Sequence, residues 1–195
     1  MSNRSIHTLL KNWDEECPLT REEAVEVLSL PEEEMDSLME CAYALRTKYK
    51  GKKVSVQLLT NVRSGNCTQN CAYCAQSKDS QAEIEKYKRV SDEKLYGDND
   101  LVDEKHLARH CIGLSGIGFS DEEIEDLADR IREMKKKDTQ ICCSIGFLTE
   151  KQARILKDAG LDRINHNLNS SRSFYPEICT THTYDQRVNN IKMLQ

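Results

Sequence analysis

Gln140 to Gly160 reads QICCSIGFLTEKQARILKDAG, and this short run holds two periodicities. Gln140 to Phe147 alternates, with Ile141, Cys143 and Ile145 opposed by Cys142, Ser144 and Gly146, as expected of a strand with two unlike faces. Thr149 to Ala159 then reads as helix, and Gly160 closes it. The same strand-then-helix texture recurs on both sides. Val54 to Thr60, Ala108 to Leu114 and Arg163 to Leu168 read as strands. Asp92 to His106, Ser120 to Lys136 and Tyr184 to Leu194 read as helices, the first of them weakened by Gly97-Asp98-Asn99-Asp100. A strand and a helix every 30 residues or so predict an α/β fold of about four βα units on a parallel sheet. No residue-level repeat accompanies this architectural one.

The chain before Gly51 has a different texture. Thr20 with Glu23 forms a capping-box pattern ahead of Ala24, Val27 and Leu28. Pro31 sits at a first helical position, and Met35, Leu38, Met39, Ala42 and Leu45 make an apolar stripe, read as core packing. The expected organisation is an N-terminal helical segment over residues 1–50 and an α/β core over 51–195.

Strand parity divides the predicted sheet into unlike faces. Val54, Val56, Leu58, Ile112, Leu114, Ile141, Cys143, Ile145, Ile164 and Leu168, with His166, fall on an aliphatic side suited to a layer of helices. Ser55, Gln57, Asn61, Cys111, Gly113, Ser115, Cys142, Ser144, Gly146, Asn165, Asn167 and Asn169 fall on the other. A closed (β/α)₈ barrel normally fills its interior with bulky aliphatics. A small, polar inner face implies a solvated or ligand-filled lumen.

Composition narrows the partners. Lys and Arg number 28 against 33 Asp and Glu, a formal charge of −5, which argues against nucleic acid or an anionic membrane as the main partner. No apolar run approaches the length of a membrane span, which needs about 18 residues. Met1 to Thr20 lacks the apolar centre of a secretory signal, so a cytoplasmic location is expected. In that setting nine cysteines read as metal or iron–sulfur ligands rather than as a disulfide framework.

The densest cysteine pattern is Cys67-Thr68-Gln69-Asn70-Cys71-Ala72-Tyr73-Cys74, directly after the first strand. Three thiolates on one short loop suit three irons of a [4Fe–4S] cluster and leave the fourth iron open to a small molecule. Structural zinc normally recruits four protein ligands, and the next cysteine is as distant as Cys111. Ligands of parallel α/β folds bind beyond the C-terminal ends of strands, where this loop would lie.

This C-x₃-C-x₂-C stretch resembles the signature loop of the radical S-adenosylmethionine enzymes. From about Leu45 onward the chain also resembles the biotin synthases of that superfamily. The similar stretches are CTQNCAYCAQS (Cys67 to Ser77), RHCIGLSG (Arg109 to Gly116), ICCSIGFL (Ile141 to Leu148), AGLDRINHNL (Ala159 to Leu168) and FYPEICTTHTYDQR (Phe174 to Arg187). The resemblance implies a TIM-type (β/α)₈ barrel, of which this chain reads as the first half. At 195 residues it is short for a whole barrel, which takes about 250.

The resemblance also implies roles. Cys67, Cys71 and Cys74 match the [4Fe–4S] ligands. Tyr73, Gly113, Ser115, Asn165, Asn167, Asn169 and Arg187 match residues around the S-adenosylmethionine and substrate, with Arg187 on the cofactor carboxylate. Asn169 stands where the family usually has Asp. Cys111 and Cys142 match two ligands of a [2Fe–2S] cluster whose other ligands, a cysteine and an arginine, belong to later strands. Cys143 reads as buried packing, and Cys17, Cys41 and Cys179 as inert thiols. The implied reaction is sulfur insertion between C6 and C9 of dethiobiotin, begun by a deoxyadenosyl radical. A flavodoxin or ferredoxin would donate electrons, and the full-length protein would be a homodimer. Two other readings stay open: a related radical enzyme that matures hydrogenases or rearranges amino acids, and a non-catalytic iron–sulfur module.

Overall fold

The computed structural model describes residues 19–195. Cys17 and the rest of residues 1–18 lie outside the described part. The chain divides into two compact units, Met1–Val54 and Ser55–Gln195.

In the first unit, α1 (Arg21–Leu28) starts at the capping box: Thr20 Oγ1 accepts from Glu23 N, and the Glu23 carboxylate accepts from Thr20 N. Pro31 precedes a single 3₁₀ turn, Glu32–Glu34, rather than opening an α-helix. α2 (Met35–Lys50) follows, and no described residue of it is buried. The stripe expected to be core is therefore not core here, and Met35 and Met39 are exposed.

The second unit is α/β. β1 (Gln57–Arg63), α3 (Asp92–Glu104), β2 (Arg109–Leu114), α4 (Asp121–Met134), β3 (Ile141–Ser144), α5 (Glu150–Asp158), β4 (Arg163–Asn165), α6 (Tyr175–Ile178) and α7 (Tyr184–Leu194) follow in order. The four strands are parallel and lie side by side as β1-β2-β3-β4. Ser120, Thr149 and Thr183 each cap a helix with a reciprocal bond from the third residue in. The core lies between the sheet and its helices. Ile112, Ile141, Cys143 and Ile145 meet Ile124, Leu127, Ala128 and Ile131 of α4 and Leu156 of α5.

Strand ends differ from the sequence expectation. β1 starts at Gln57, three residues late, and Val54 and Val56 are exposed. β3 ends at Ser144 because the chain turns to meet the loop after β2, where Phe147 N donates to Ile117 O at 2.6 Å. β4 ends at Asn165, and His166, just past it, borders both the cavity at the strand ends and the hollow beside the last two long helices.

α3 runs unbroken through the residues read as its weak point. Asp98 and Asn99 are buried because they serve two strands. Thr60 Oγ1 donates to Asp98 Oδ2 at 2.6 Å and lies 2.8 Å from His110 Nε2; Asn99 Oδ1 is 3.2 Å from His110 Nδ1. Burial opposes ionisation of Asp98, but the Lys94 ammonium and the Thr60 hydroxyl hold its carboxyl below the ordinary range. His110 is fully enclosed, and burial pushes it down to about 4. Its contribution to stability is therefore complete above the unfolded histidine's value, near 6.5, and is lost as pH falls toward 4. Urea unfolding should show His110 weakening the protein by up to about 3 kcal/mol across that window, and His110→Gln should remove that part of the dependence while leaving the part owed to His182, which is also held down to about 4. An unchanged slope in the variant would assign the effect to other groups.

Candidate functional site

The inner face of the sheet is built in two rows by strand register. Leu59, Cys111, Cys142 and Arg163 are successive partners in one row, and Asn61, Gly113, Ser144 and Asn165 form the next. The second row sits at the C-terminal ends of the strands and floors a cavity of about 300 Å³. Cys67, Cys71, Cys74, Tyr73, Gly113, Ser115, Asn165, Asn167, Asn169 and Arg187 all line it. Every residue expected around the first cluster and its cofactor thus meets one space. Cys111 and Cys142 lie one row deeper, side by side on neighbouring strands. A larger hollow, about 580 Å³, lies at the β4 edge among α5 and α7 and holds none of these residues.

The cysteine loop is positioned from three sides. Gly65 and Asn66 both take positive φ, 69° and 54°, turning the chain sharply out of β1. Ser115 Oγ donates to Gly65 O at 2.6 Å, and Ser115 N donates to Arg63 O. The Ser115 hydroxyl is thereby committed to holding the base of the loop. The third anchor went unread in the sequence. Asn70 clamps the segment after α6, with Nδ2 donating to Thr180 Oγ1 at 2.7 Å and Oδ1 accepting from Thr180 N, Thr181 N and Thr181 Oγ1. Ala72 N donates to Ile178 O beside it. Asn70→Ala should free this dock. Amide exchange at Ala72 should rise by about tenfold or more while amides of β2 stay protected; equal protection at Ala72 would contradict the clamp.

Arg187 reaches across the cavity wall. It donates to Tyr175 Oη, to Asn167 O at 3.2 Å, and through Nε and Nη2 to His182 Nε2 at 3.2 and 2.9 Å. His182 Nε2 therefore accepts and its Nδ1 carries the proton, directed at Gln69 Oε1 at 3.0 Å and Cys179 Sγ at 3.3 Å. Burial, reinforced by Arg187, pushes His182 down to about 4. Asn169 occupies the left-handed region at φ 67°, which Asn tolerates well, and its amide donates to the Tyr73 hydroxyl.

The thiols differ in setting. Burial, then the neighbouring Cys179, pushes Cys71 up to about 11. Burial also acts on Cys179, but the Thr181 hydroxyl and the N–H groups of His182 and Thr181 outweigh it, leaving the more acidic member of the pair. Cys179 is buried against Cys71 rather than standing apart as an inert thiol. Burial and the adjoining Cys111 push Cys142 up to about 11. Cys143 is wholly buried in the helix-side core, as its parity requires.

The donor set fits an iron–sulfur cluster. Three soft thiol donors from one loop share a cavity wall, and two of them, Cys67 and Cys74, are only partly covered. Cys111 and Cys142 give two adjacent thiols on one face, as a second cluster would need, and the buried Arg109 Nε has no partner among the described residues.

Residues 61–195 match the Radical SAM superfamily. The chain belongs to that superfamily. Among curated relatives of this radical SAM chain, the biotin synthase of Geobacillus kaustophilus is 39% identical over 178 residues, 91% of this chain and 54% of that protein. The biotin synthase of Bacillus subtilis is 40% identical over 176 residues, 90% of this chain and 52% of that protein. The chain spans about half the length of the curated relatives it matches. Among solved structures, methylornithine synthase (PylB) superposes with a TM-score of 0.81 at 16% identity, covering 95% of this chain and 54% of that one. The hydrogenase maturase HydG from Carboxydothermus hydrogenoformans gives 0.78 at 20% identity, covering 97% and 45%. At those identities the likeness is one of fold. Among the described residues no helix is long and apolar enough to cross a membrane.

Proposed function

We propose that this chain is the N-terminal, cofactor-binding half of a biotin synthase, with a partial barrel core over 51–195. The observation that carries the reading is the shared cavity: three loop thiols face the polar ends of four parallel strands, with a cysteine pair one row beneath. Cys67, Cys71 and Cys74 would hold a [4Fe–4S] cluster, and Tyr73, Gly113, Ser115, Asn165, Asn167, Asn169 and Arg187 would hold S-adenosylmethionine beside it. When bound, cluster and cofactor would supply radical chemistry able to remove hydrogen from an unactivated carbon. The chain's own residues do the positioning. Arg187 offers a carboxylate a charge-assisted bond from a guanidinium already fixed by Tyr175, Asn167 and His182. The amides of Asn165 and Asn167 orient a polar ligand, and Asn169 fixes the Tyr73 ring at the wall. Cys111 and Cys142 supply two ligands of a [2Fe–2S] cluster, to be completed by residues outside this chain.

The substrate of the whole enzyme is dethiobiotin, its electrons come from a flavodoxin or ferredoxin, and the full-length protein works as a cytoplasmic homodimer. The test extends the sequence with the remaining portion of a curated relative's chain and assays it anaerobically with S-adenosylmethionine and a reductant. Biotin should form from dethiobiotin, and Cys111→Ala with Cys142→Ala should abolish it. Deoxyadenosine released without biotin, from protein loaded with both clusters, would overturn the assignment.

A further inference from the structure

Cys179 has no task in the proposed reaction, yet its Sγ lies 3.7 Å from Cys71 Sγ. Both are buried, at 3% and 7% exposure. Neither is held inside a helix. Cys71 belongs to the loop, and Cys179 is the residue that ends α6, with an extended backbone at φ −158° and ψ 128°. A disulfide needs the sulfurs about 2 Å apart, within reach of side-chain rotation from this contact. Cys71, Cys179 and His182 also bring their ligand atoms within 4.8 Å of one another, as a single metal ion would require. Arg187 argues against that use. An ion would need the Nδ1 lone pair, and the ring proton would then sit on Nε2, facing two guanidinium N–H groups.

We propose that Cys179 is the disulfide partner of Cys71: in cluster-free protein, oxidation of the pair stops at a reversible Cys71–Cys179 disulfide. With a peroxide as oxidant, the Cys179 sulfur takes one peroxide oxygen to give a sulfenic acid and one water leaves. The Cys71 sulfur then displaces the sulfenic hydroxyl, which departs as a second water. Two thiols lose two electrons and the O–O bond accepts them. Without a neighbour, a sulfenic acid proceeds to the irreversible sulfinic acid. The pair thus keeps Cys71 recoverable for its cluster. The pairing stands apart from the proposed function; only its consequence for iron rests on that reading.

The experiment treats the cluster-free chain with hydrogen peroxide, blocks free thiols, and maps peptides by mass spectrometry. A second portion is reduced with dithiothreitol and reconstituted with iron and sulfide. The wild-type chain should show a Cys71–Cys179 linked peptide and regain its iron after reduction. Cys179→Ser should show Cys71 as sulfinic acid and regain several-fold less iron. Cys71 paired with Cys67 or Cys74, or retention of one zinc ion per chain that Cys179→Ser releases, would overturn the proposal, as would equal recovery in both proteins. A linked peptide with undiminished iron loading before reduction would leave the pairing standing and overturn the consequence, along with Cys71 as a cluster ligand.

Discussion

Cys67→Ala, or Cys74→Ala, is expected to bring iron loading after anaerobic reconstitution from about four atoms per chain to below one, with loss of all radical chemistry. In the proposed function three thiolates hold three irons, and removing one would leave two irons without protein ligands. Cys67 is the more decisive choice. Cys71 has Cys179 at 3.7 Å as a potential substitute ligand, so its single replacement is less clean. The control is Cys143→Ala, another buried cysteine. Its sulfur packs with Ile112, Ile141 and Leu156 in the helix-side core, away from the cavity. That variant should lose stability and keep its iron. Iron and sulfide analysis with visible absorption reads both. Full loading of Cys67→Ala would remove the loop as the cluster site.

The second large effect is steric. Gly146→Ala is expected to destabilise the protein by about 3 kcal/mol or more. An added Cβ meets the Ile117 carbonyl group and stands 2.7 Å from Ile117 Cα, all of it backbone. The neighbour cannot yield, because Ile117 O accepts the Phe147 N–H bond at 2.6 Å that joins the two loops flooring the cavity. Gly113→Ala provides the comparison. It sits on the same cavity wall, but the nearest atoms to its added methyl are 3.8 Å away. Urea midpoints should drop sharply for Gly146→Ala and little for Gly113→Ala. Equal shifts would mean that the β2 and β3 loops do not make this contact.

Much of the fold could be read in the chain because two periodicities coexist in it. Ile141, Cys143 and Ile145 alternate with Cys142, Ser144 and Gly146, and the structure pairs Cys111 with Cys142 on one face, as that alternation demands. Parity is a local rule and stopped where strands stopped. The β4 ladder ends at Asn165, and beyond it His166 borders both the strand-end cavity and the hollow beside α5 and α7. Composition misled in α3, where Asp98 and Asn99 look like helix breakers. Their partners, Thr60 and His110, lie on two other strands, and no local pattern shows that a polar side chain will be buried against a distant one. The apolar stripe of α2 shows the converse: spacing predicts a buried face, but burial requires a partner surface.

The site was legible to a similar depth. The spacing of Cys67, Cys71 and Cys74 is a chemical pattern within one loop and stands out in one dimension. The clamp from Asn70 to Thr180 and Thr181 spans 110 residues and more, and Cys179 beside Cys71 spans 108. Such contacts arise when the segment after β4 folds over the first loop. The one available signal was chemical: a cysteine and a histidine at Cys179 and His182, three residues apart, ahead of a capped helix.

In the proposed function one cavity in this chain gathers a cluster and the molecule that binds its open iron. The most direct test is electron paramagnetic resonance of the reconstituted, reduced chain with and without S-adenosylmethionine. The account predicts a reduced [4Fe–4S] signal that changes shape when S-adenosylmethionine is added, with the change lost in Arg187→Met. A cluster signal that is indifferent to S-adenosylmethionine would contradict it.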